Sequence, residues 1–333
     1  MHYLPCVAAL AVCLTGPVRA AENADPATRD PRPPANQQPV AHLATGSDWL
    51  NLLRDKPWSL TFDIATEYKT DLALPLELGP AQTHPRSDEC RLKLAGNFDY
   101  RIPIGPGNLI LGYGLNQTMH SDTEEIDAQI HNASAKYRWH PWTGATAIAW
   151  MGFSHALLEY ESLATNYRTG ASLYAHEFGP LFGRISYEFT CLDHHINEGF
   201  DSGTHAVTLA QVIRLWDPRN TVTVGYRVRK RNADASMYSF CGHNAFVSTR
   251  WWVCDNAWLT GNVAYGFDRY DGQDVIDLKH RRDRTLRLGL RFDCAVTECC
   301  TVYCGVSWAD RASNIGRQSF QSTTVTIGTI FRL

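Results

Sequence analysis

Residues 285–293 read TLRLGLRFD. Leu286, Leu288, Leu290 and Phe292 alternate with Thr285, Arg287, Arg291 and Asp293. Successive side chains of a strand point to opposite faces, so this run has one apolar and one strongly polar face. The same period recurs in 221–229, where Val222, Val224, Tyr226 and Val228 alternate with Thr221, Thr223, Arg227 and Arg229. It recurs in 58–68, with Trp58, Leu60, Phe62, Ile64 and Tyr68 against Ser59, Thr61, Asp63, Ala65 and Glu67. It recurs again in 90–102, where Leu92, Leu94, Phe98 and Tyr100 face away from Arg91, Lys93, Asp99 and Arg101.

Working outward gives about fourteen such segments. They cover 58–68, 90–102, 108–119, 128–139, 145–157, 166–178, 181–191, 205–216, 221–231, 244–253, 258–270, 285–296, 301–309 and 323–333. Most exceed the roughly five or six residues of an ordinary soluble strand and suit tilted membrane crossings of about 9–11 residues. Short connections carry turn chemistry: Gly105-Pro106-Gly107, His140-Pro141-Trp142, Gly179-Pro180, Asp217-Pro218 and Asp255-Asn256. Longer polar connections at 69–89, 120–127, 158–165, 192–204, 232–243, 271–284 and 310–322 alternate with them. The expected fold is an all-β, transmembrane antiparallel barrel of about fourteen strands, with both termini on the periplasmic, short-turn side. Trp58, Trp139, Trp142, Trp216, Trp251, Trp252 and Trp258 fall at or beside the short-turn ends, as an interfacial belt requires.

Composition is compatible with this. In 333 residues the net charge is -3, with 44% hydrophobic and 20% charged residues. That excludes a disordered chain and a strongly basic nucleic-acid binder. Residues 1–20 end an apolar run with Val18-Arg19-Ala20 and read as a signal peptide, so the cell outer membrane of a Gram-negative bacterium is the expected destination. Residues 21–56 form a Pro-rich periplasmic linker in which Ser47-Asp48 caps a short helix, and residues 57–333 are the barrel.

The polar faces collect Lys69, Arg91, Lys93, Arg101, Lys136, Arg138, Arg184, Arg214, Arg227, Arg229, Arg250, Arg287, Arg291 and Arg332, against Asp63, Glu67, Asp99, Glu188, Asp268 and Asp293. Parity places these charges inside, giving a net basic lumen, and rings of charge set ion preference in pores. The competing reading is a braced, closed barrel in which acids and bases cross-pair. Export permits disulfides. Cys90, Cys191 and Cys241 fall near the external ends, and Cys254, Cys294, Cys299, Cys300 and Cys304 near the periplasmic ends. Bonds between the two groups are excluded by distance.

Enzymatic chemistry is weakly signalled. Asp193, His194, His195, Glu198 and Asp201 cluster in one connection and could hold a metal, but a solvated loop explains them better. Ser313-Asn314 lacks a nearby preceding His, and His155 has no evident Ser or acid partner, so an outer-membrane lipid hydrolase is the remote alternative. No cofactor and no metal site is expected. The expected partners are outer-membrane lipid, the barrel-insertion machinery and small anionic solutes or an exported substrate, with no nucleic acid.

Short motifs add a resemblance: Tyr68-Lys69-Thr70-Asp71, Ser87-Asp88, Tyr100-Arg101-Ile102-Pro103, Arg281-Arg282-Asp283, Ser313-Asn314 and the run Thr326-Ile327-Gly328-Thr329-Ile330-Phe331-Arg332-Leu333. In order they resemble the outer-membrane barrels that follow tetratricopeptide repeats, such as the surface lipoprotein assembly modifiers. Residues 21–56 carry no such repeats. The resemblance implies a fourteen-stranded barrel acting in passage or export, without catalytic residues.

Overall fold

A computed structural model of the protein describes residues 56–70, 89–120, 127–176 and 181–333. The expected signal peptide, linker and capped helix lie outside these residues, as do the Gly179-Pro180 turn and most of connections 69–89 and 120–127. The strands are β1 (Trp58–Thr70), β2 (Glu89–Ile104), β3 (Gly107–His120), β4 (Ala128–Trp139), β5 (Ala145–Leu158), β6 (Glu161–His176) and β7 (Leu181–His194). They continue with β8 (Ser202–Arg214), β9 (Thr221–Ala233), β10 (Phe240–Cys254), β11 (Ala257–Gln273), β12 (His280–Ala295), β13 (Cys300–Ser313) and β14 (Phe320–Arg332). All pairings are antiparallel between chain neighbours, and β1 pairs with β14 to close the ring. At the seam, Leu60 and Leu333 exchange backbone hydrogen bonds of 3.0 and 2.9 Å. Closure leaves no free edge.

The register fixes which side chains point inward. Ala65 and Glu67 are buried, whereas Phe62, Ile64 and Tyr68 are exposed. Odd residues of β1 therefore face the interior, and Cα pairing carries that parity around the ring. The outward face is an apolar band, with Leu92, Leu111, Leu209, Val263, Leu290 and Ile327 exposed on it. Near the long-loop end this band repeats one device. Tyr113 with His131, Tyr187 with His205, and Tyr226 with His243 are joined hydroxyl to Nδ1 at 2.8, 2.7 and 2.8 Å. Each pair sits at the same diagonal offset between neighbouring strands.

The two ends differ. At the short-turn end, β2 and β3 join through Gly105-Pro106, with φ +52° at Gly105 where a side chain would be strained. β10 and β11 join through Asp255-Asn256. At the other end three loops shrink to single 3-10 turns at Glu198–Phe200, Ser236–Tyr238 and Gly316–Gln318. They close alike: the Ala233 N–H donates to Ser239 Oγ at 2.8 Å and the Ser313 N–H to Ser319 Oγ at 3.0 Å. The His194 N–H donates to Asp201 Oδ1 at 2.6 Å.

Three expectations need correction. Connection 158–165 is no long loop. Leu158 pairs directly with Glu161, and Glu159 and Tyr160 form a two-residue hairpin turn with φ of 50° and 67°. Connections 192–204, 232–243, 271–284 and 310–322 shorten to 195–201, 234–239, 274–279 and 314–319, because the strands run past the apolar belt as polar ladders. Trp252 and Trp258 do not face the interface. Both are buried on the inward face with ring centroids 5.0 Å apart, and the Trp252 N–H donates to Asn220 Oδ1 at 2.7 Å.

Candidate functional site: the barrel interior

Every sequence-selected base lies on the inward register. Arg91 and Lys93 stand opposite Glu67 and Ala65, and Arg101 opposite Ile110. Lys136 and Arg138 pair with Ile110 and Asn108, Arg184 with Ala210, and Arg214 with Thr221. Arg227 and Arg229 share a face with Thr208 and Ala206, Arg250 with Thr221, and Arg287 and Arg291 with Ala264 and Thr260. The same register turns Arg168, Arg231, Arg281, Arg311, Glu89 and Asp283 inward, all missed above. Arg168 and Arg231 follow from parity alone. Arg281, Asp283 and Arg311 fall in segments 271–284 and 310–322, which the sequence alone reads as loops.

The acids divide the interior. Glu67 meets Arg91 at 2.6 Å and Lys93 at 3.0 Å. Glu188 meets Arg227 at 2.8 Å, Asp268 meets Arg229 at 2.7 Å, and Asp293 meets Arg291 at 2.7 Å. Asp283 is 1% exposed and binds Arg281 through two nitrogens, with Arg311 at 3.9 Å. Asp63 accepts instead from the Tyr303 hydroxyl, at 2.8 Å. Several of these contacts skip a strand. Arg229 on β9 reaches Asp268 on β11 over Gly242 of β10, and Tyr303 on β13 reaches Asp63 on β1 over Gly328 of β14. A Cβ at either glycine would overlap the bridging groups.

The wall from β3 to β8 is different. Among the described residues Lys136, Arg138, Arg168, Arg184 and Arg214 make no ion pair there. Below the long-loop rim its inward carboxylate among the described residues is Glu188, which Arg227 of β9 takes. Arg184 lies over the Tyr174 ring at 5.3 Å and Arg214 over Phe182 at 4.3 Å. Aromatic faces hold these guanidiniums without neutralising them. Between the two walls a cavity of about 540 Å³ is bounded by Glu67, Lys93, Asn116, Asn262, Arg291 and Tyr303, and no described segment crosses it.

Other candidate groups turn out to be structural. In the 195–201 loop, His194 is buried and its Nδ1 accepts from the Asn197 N–H at 3.1 Å, while Asp201 serves as the clasp. Among the described residues no three His, Cys, Asp or Glu side chains converge as metal ligands would. On the outer wall, Thr165 Oγ1 lies 3.1 Å from His155 Nδ1 and 2.9 Å from His195 Nε2. Asp193 stands 4.0 Å from His195, beyond hydrogen-bond range, and Thr165 is 6% exposed, so no acid–base–nucleophile relay is assembled. Among the described residues Cys90, Cys191, Cys241, Cys254, Cys299 and Cys304 form no disulfide, so the disulfide expectation finds no support at those positions. Pairing turns Cys90, Cys191, Cys241, Cys294, Cys300 and Cys304 to the outer, apolar face, where they act as small apolar side chains.

No family model matches the chain, and no curated protein does. Solved structures of similar backbone include OccAB3 of Acinetobacter baumannii, at 8% identity and TM-score 0.47 over 83% of this chain and 99% of that one. An outer membrane channel of Pseudomonas putida F1 has 9% identity and TM-score 0.49 over 84% and 96%. An anion-selective porin of Comamonas acidovorans has 11% identity and TM-score 0.44 over 83% and 99%. At these identities the likeness concerns the barrel fold and adds nothing about activity.

Proposed function

We propose that the protein spans the outer membrane of a Gram-negative bacterium and is a non-enzymatic conduit for small anionic solutes, with a net basic lumen. The observation that carries this is the wall from β3 to β8, where Lys136, Arg138, Arg168, Arg184 and Arg214 face the interior without carboxylate partners among the described residues. An unneutralised basic lining attracts anions and repels cations. The outward apolar band and strands of 12–17 residues support the membrane placement. Export by residues 1–20, termini on the periplasmic side, and contact with lipid and the insertion machinery belong to the same proposal. So does kinship with the barrels that follow tetratricopeptide repeats, which rests on the short motifs alone. A closed structural barrel stapled by disulfides is less favoured, because Cys90, Cys191, Cys241, Cys254, Cys299 and Cys304 form no disulfide among the described residues.

The test is electrical. Purified full-length protein in planar bilayers under a salt gradient should give an anion-selective reversal potential. Replacing Arg184 and Arg214 together with Glu should shift that potential toward cations. Screening confines fixed charge to about 10 Å at 0.1 M salt, so the shift should grow as salt is lowered. A cation-selective wild type, or no conductance, would overturn the proposal.

A further inference from the structure

On the outer wall near the long-loop end, Arg269 of β11 and Arg282 of β12 are direct Cα partners, and Arg284 stands opposite Phe267. All three side chains are exposed and point away from the interior, because Asp268, Arg281 and Asp283 beside them are buried inward. Like charges directly opposite one another in a sheet are destabilising. None of the three makes an ion pair among the described residues. Of the nearest acids, Asp271 is held by Lys230 at 2.6 Å, and Asp310 sits diagonal to Arg284 without bonding it. Inside the barrel at this level, by contrast, Arg229 and Arg281 both have carboxylates.

A second observation lies below them on the same wall. A groove of about 460 Å³ opens outward between β10 and β13, lined by Val247, Gly261, Val263, Leu288, Val306 and Trp308. The bare Gly261 leaves its floor low. Leu288 and Trp308, at its upper edge, are Cα partners. Four residues of strand, about 13 Å, separate Leu288 from Arg284. Charge above and an apolar trough below, in line along one pair of strands, match a lipid with an anionic headgroup and an acyl chain.

We propose that the outer face of β11 and β12 is a binding site for an anionic phospholipid. Its phosphate is held by Arg269, Arg282 and Arg284, and one acyl chain lies in the groove at Leu288 and Trp308. Guanidiniums suit this role because their planar donors meet phosphate oxygens in pairs. The site rests on reading the outer wall as lipid-facing, and is independent of whether the interior conducts.

The full chain is refolded into phosphatidylcholine vesicles containing a minor fraction of brominated phosphatidylglycerol or, in parallel, of brominated phosphatidylcholine. The Trp308 signal is the difference between wild type and Trp308→Phe. The brominated anionic lipid should be enriched about fivefold to tenfold at Trp308, the scale expected when basic side chains hold one anionic headgroup. The triple variant Arg269→Gln, Arg282→Gln, Arg284→Gln should lose that preference while keeping its heat-modifiable migration. Added inorganic phosphate should leave the preference in place. Equal quenching by the two lipids, a preference that survives the triple variant, or its loss to inorganic phosphate would each overturn the site. Absence of tryptophan quenching by either lipid would remove the membrane reading along with it.

Discussion

Arg229 and Arg184 are both inward arginines on the same barrel, yet they are held in opposite ways. Arg229 lies over Phe240 at 4.8 Å and also grips Asp268. Arg184 lies over Tyr174 and has no carboxylate. The contrast extends to whole walls. From β9 through β14 to β2, aromatic and acid together fix arginines such as Arg229, Arg281 and Arg291. From β3 to β8 the inward carboxylate below the rim among the described residues, Glu188, is taken by Arg227 of the other wall. Arginine is therefore a brace where an acid stands beside it and, among the described residues, an unpaired charge elsewhere, along β3 to β8 and also at Arg101, Arg250 and Arg287, and a count of lumen bases overstates the field they create. Bases with a carboxylate at contact distance contribute little to a solute several ångströms away.

The largest effect that would separate the walls is loss of a buried acid. Asp283→Asn strands Arg281, which is 7% exposed, and Arg311 beside it. It should destabilise the barrel by about 3–5 kcal/mol in urea unfolding. Arg138→Gln, an unpaired base on the wall from β3 to β8, should stay within about 0.5 kcal/mol. Equal costs would erase the distinction.

Glycine tests the same contrast at close range. Gly242→Ala drives a Cβ into Asp268 Oδ1 and Arg229 Nε and should cost about 1–3 kcal/mol. Gly152→Ala, on β5 of the opposite wall, meets only the Ala133 carbonyl at 3.5 Å and should be tolerated. Matching thermal shifts for the two variants would show that the Arg229–Asp268 bridge does not depend on the gap at 242.

The wall from β3 to β8 carries its own strain at the Glu159-Tyr160 turn, where both residues are left-handed. Asn at 159 with Gly at 160 suits that geometry and should raise stability by about 1–2 kcal/mol, read from the unfolding midpoint. A neutral or negative result would mean that contacts of the native side chains outweigh the backbone strain.

The smallest effect concerns an exposed ion pair. In the 215–220 turn, hydrogen bonds from the Arg219 side chain and N–H hold the Asp217 carboxyl below its ordinary range. A depressed acid stabilises above its unfolded pKa, and that contribution fades as pH falls through the lowered folded value. Wild type should exceed Asp217→Asn by a few tenths of a kcal/mol near neutral pH, with the gap closing as pH falls below the ordinary aspartate range. A gap comparable to that of Asp283→Asn would contradict the view that burial makes the pairs of the braced wall matter.

Much of this was legible in the sequence. TLRLGLRFD places Leu288 outside and Arg287 inside, and the register agrees. Strand ends at the long-loop rim were not legible, because Arg281–Arg284 and Asp310–Arg311 are polar on both faces, so alternation disappears while pairing continues. The Glu159-Tyr160 turn contains no Gly or Asn to announce it. Trp252 and Trp258 share parity with Arg250 and Asp293, a signal that their position near strand ends obscured. The partition of paired and unpaired bases was out of reach, since Glu188 and Arg227 meet across an intervening strand.

The seam between β1 and β14 governs how such a ring can be assembled. Every other pairing joins strands adjacent in the chain and can zip up hairpin by hairpin, whereas this one brings Thr61 beside Arg332. Its loop-closure entropy is the largest in the molecule and is repaid only when the remaining strands are already curved. Closure is therefore the last event, and until it happens β1 and β14 are two complementary open edges able to capture each other or a strand of another chain.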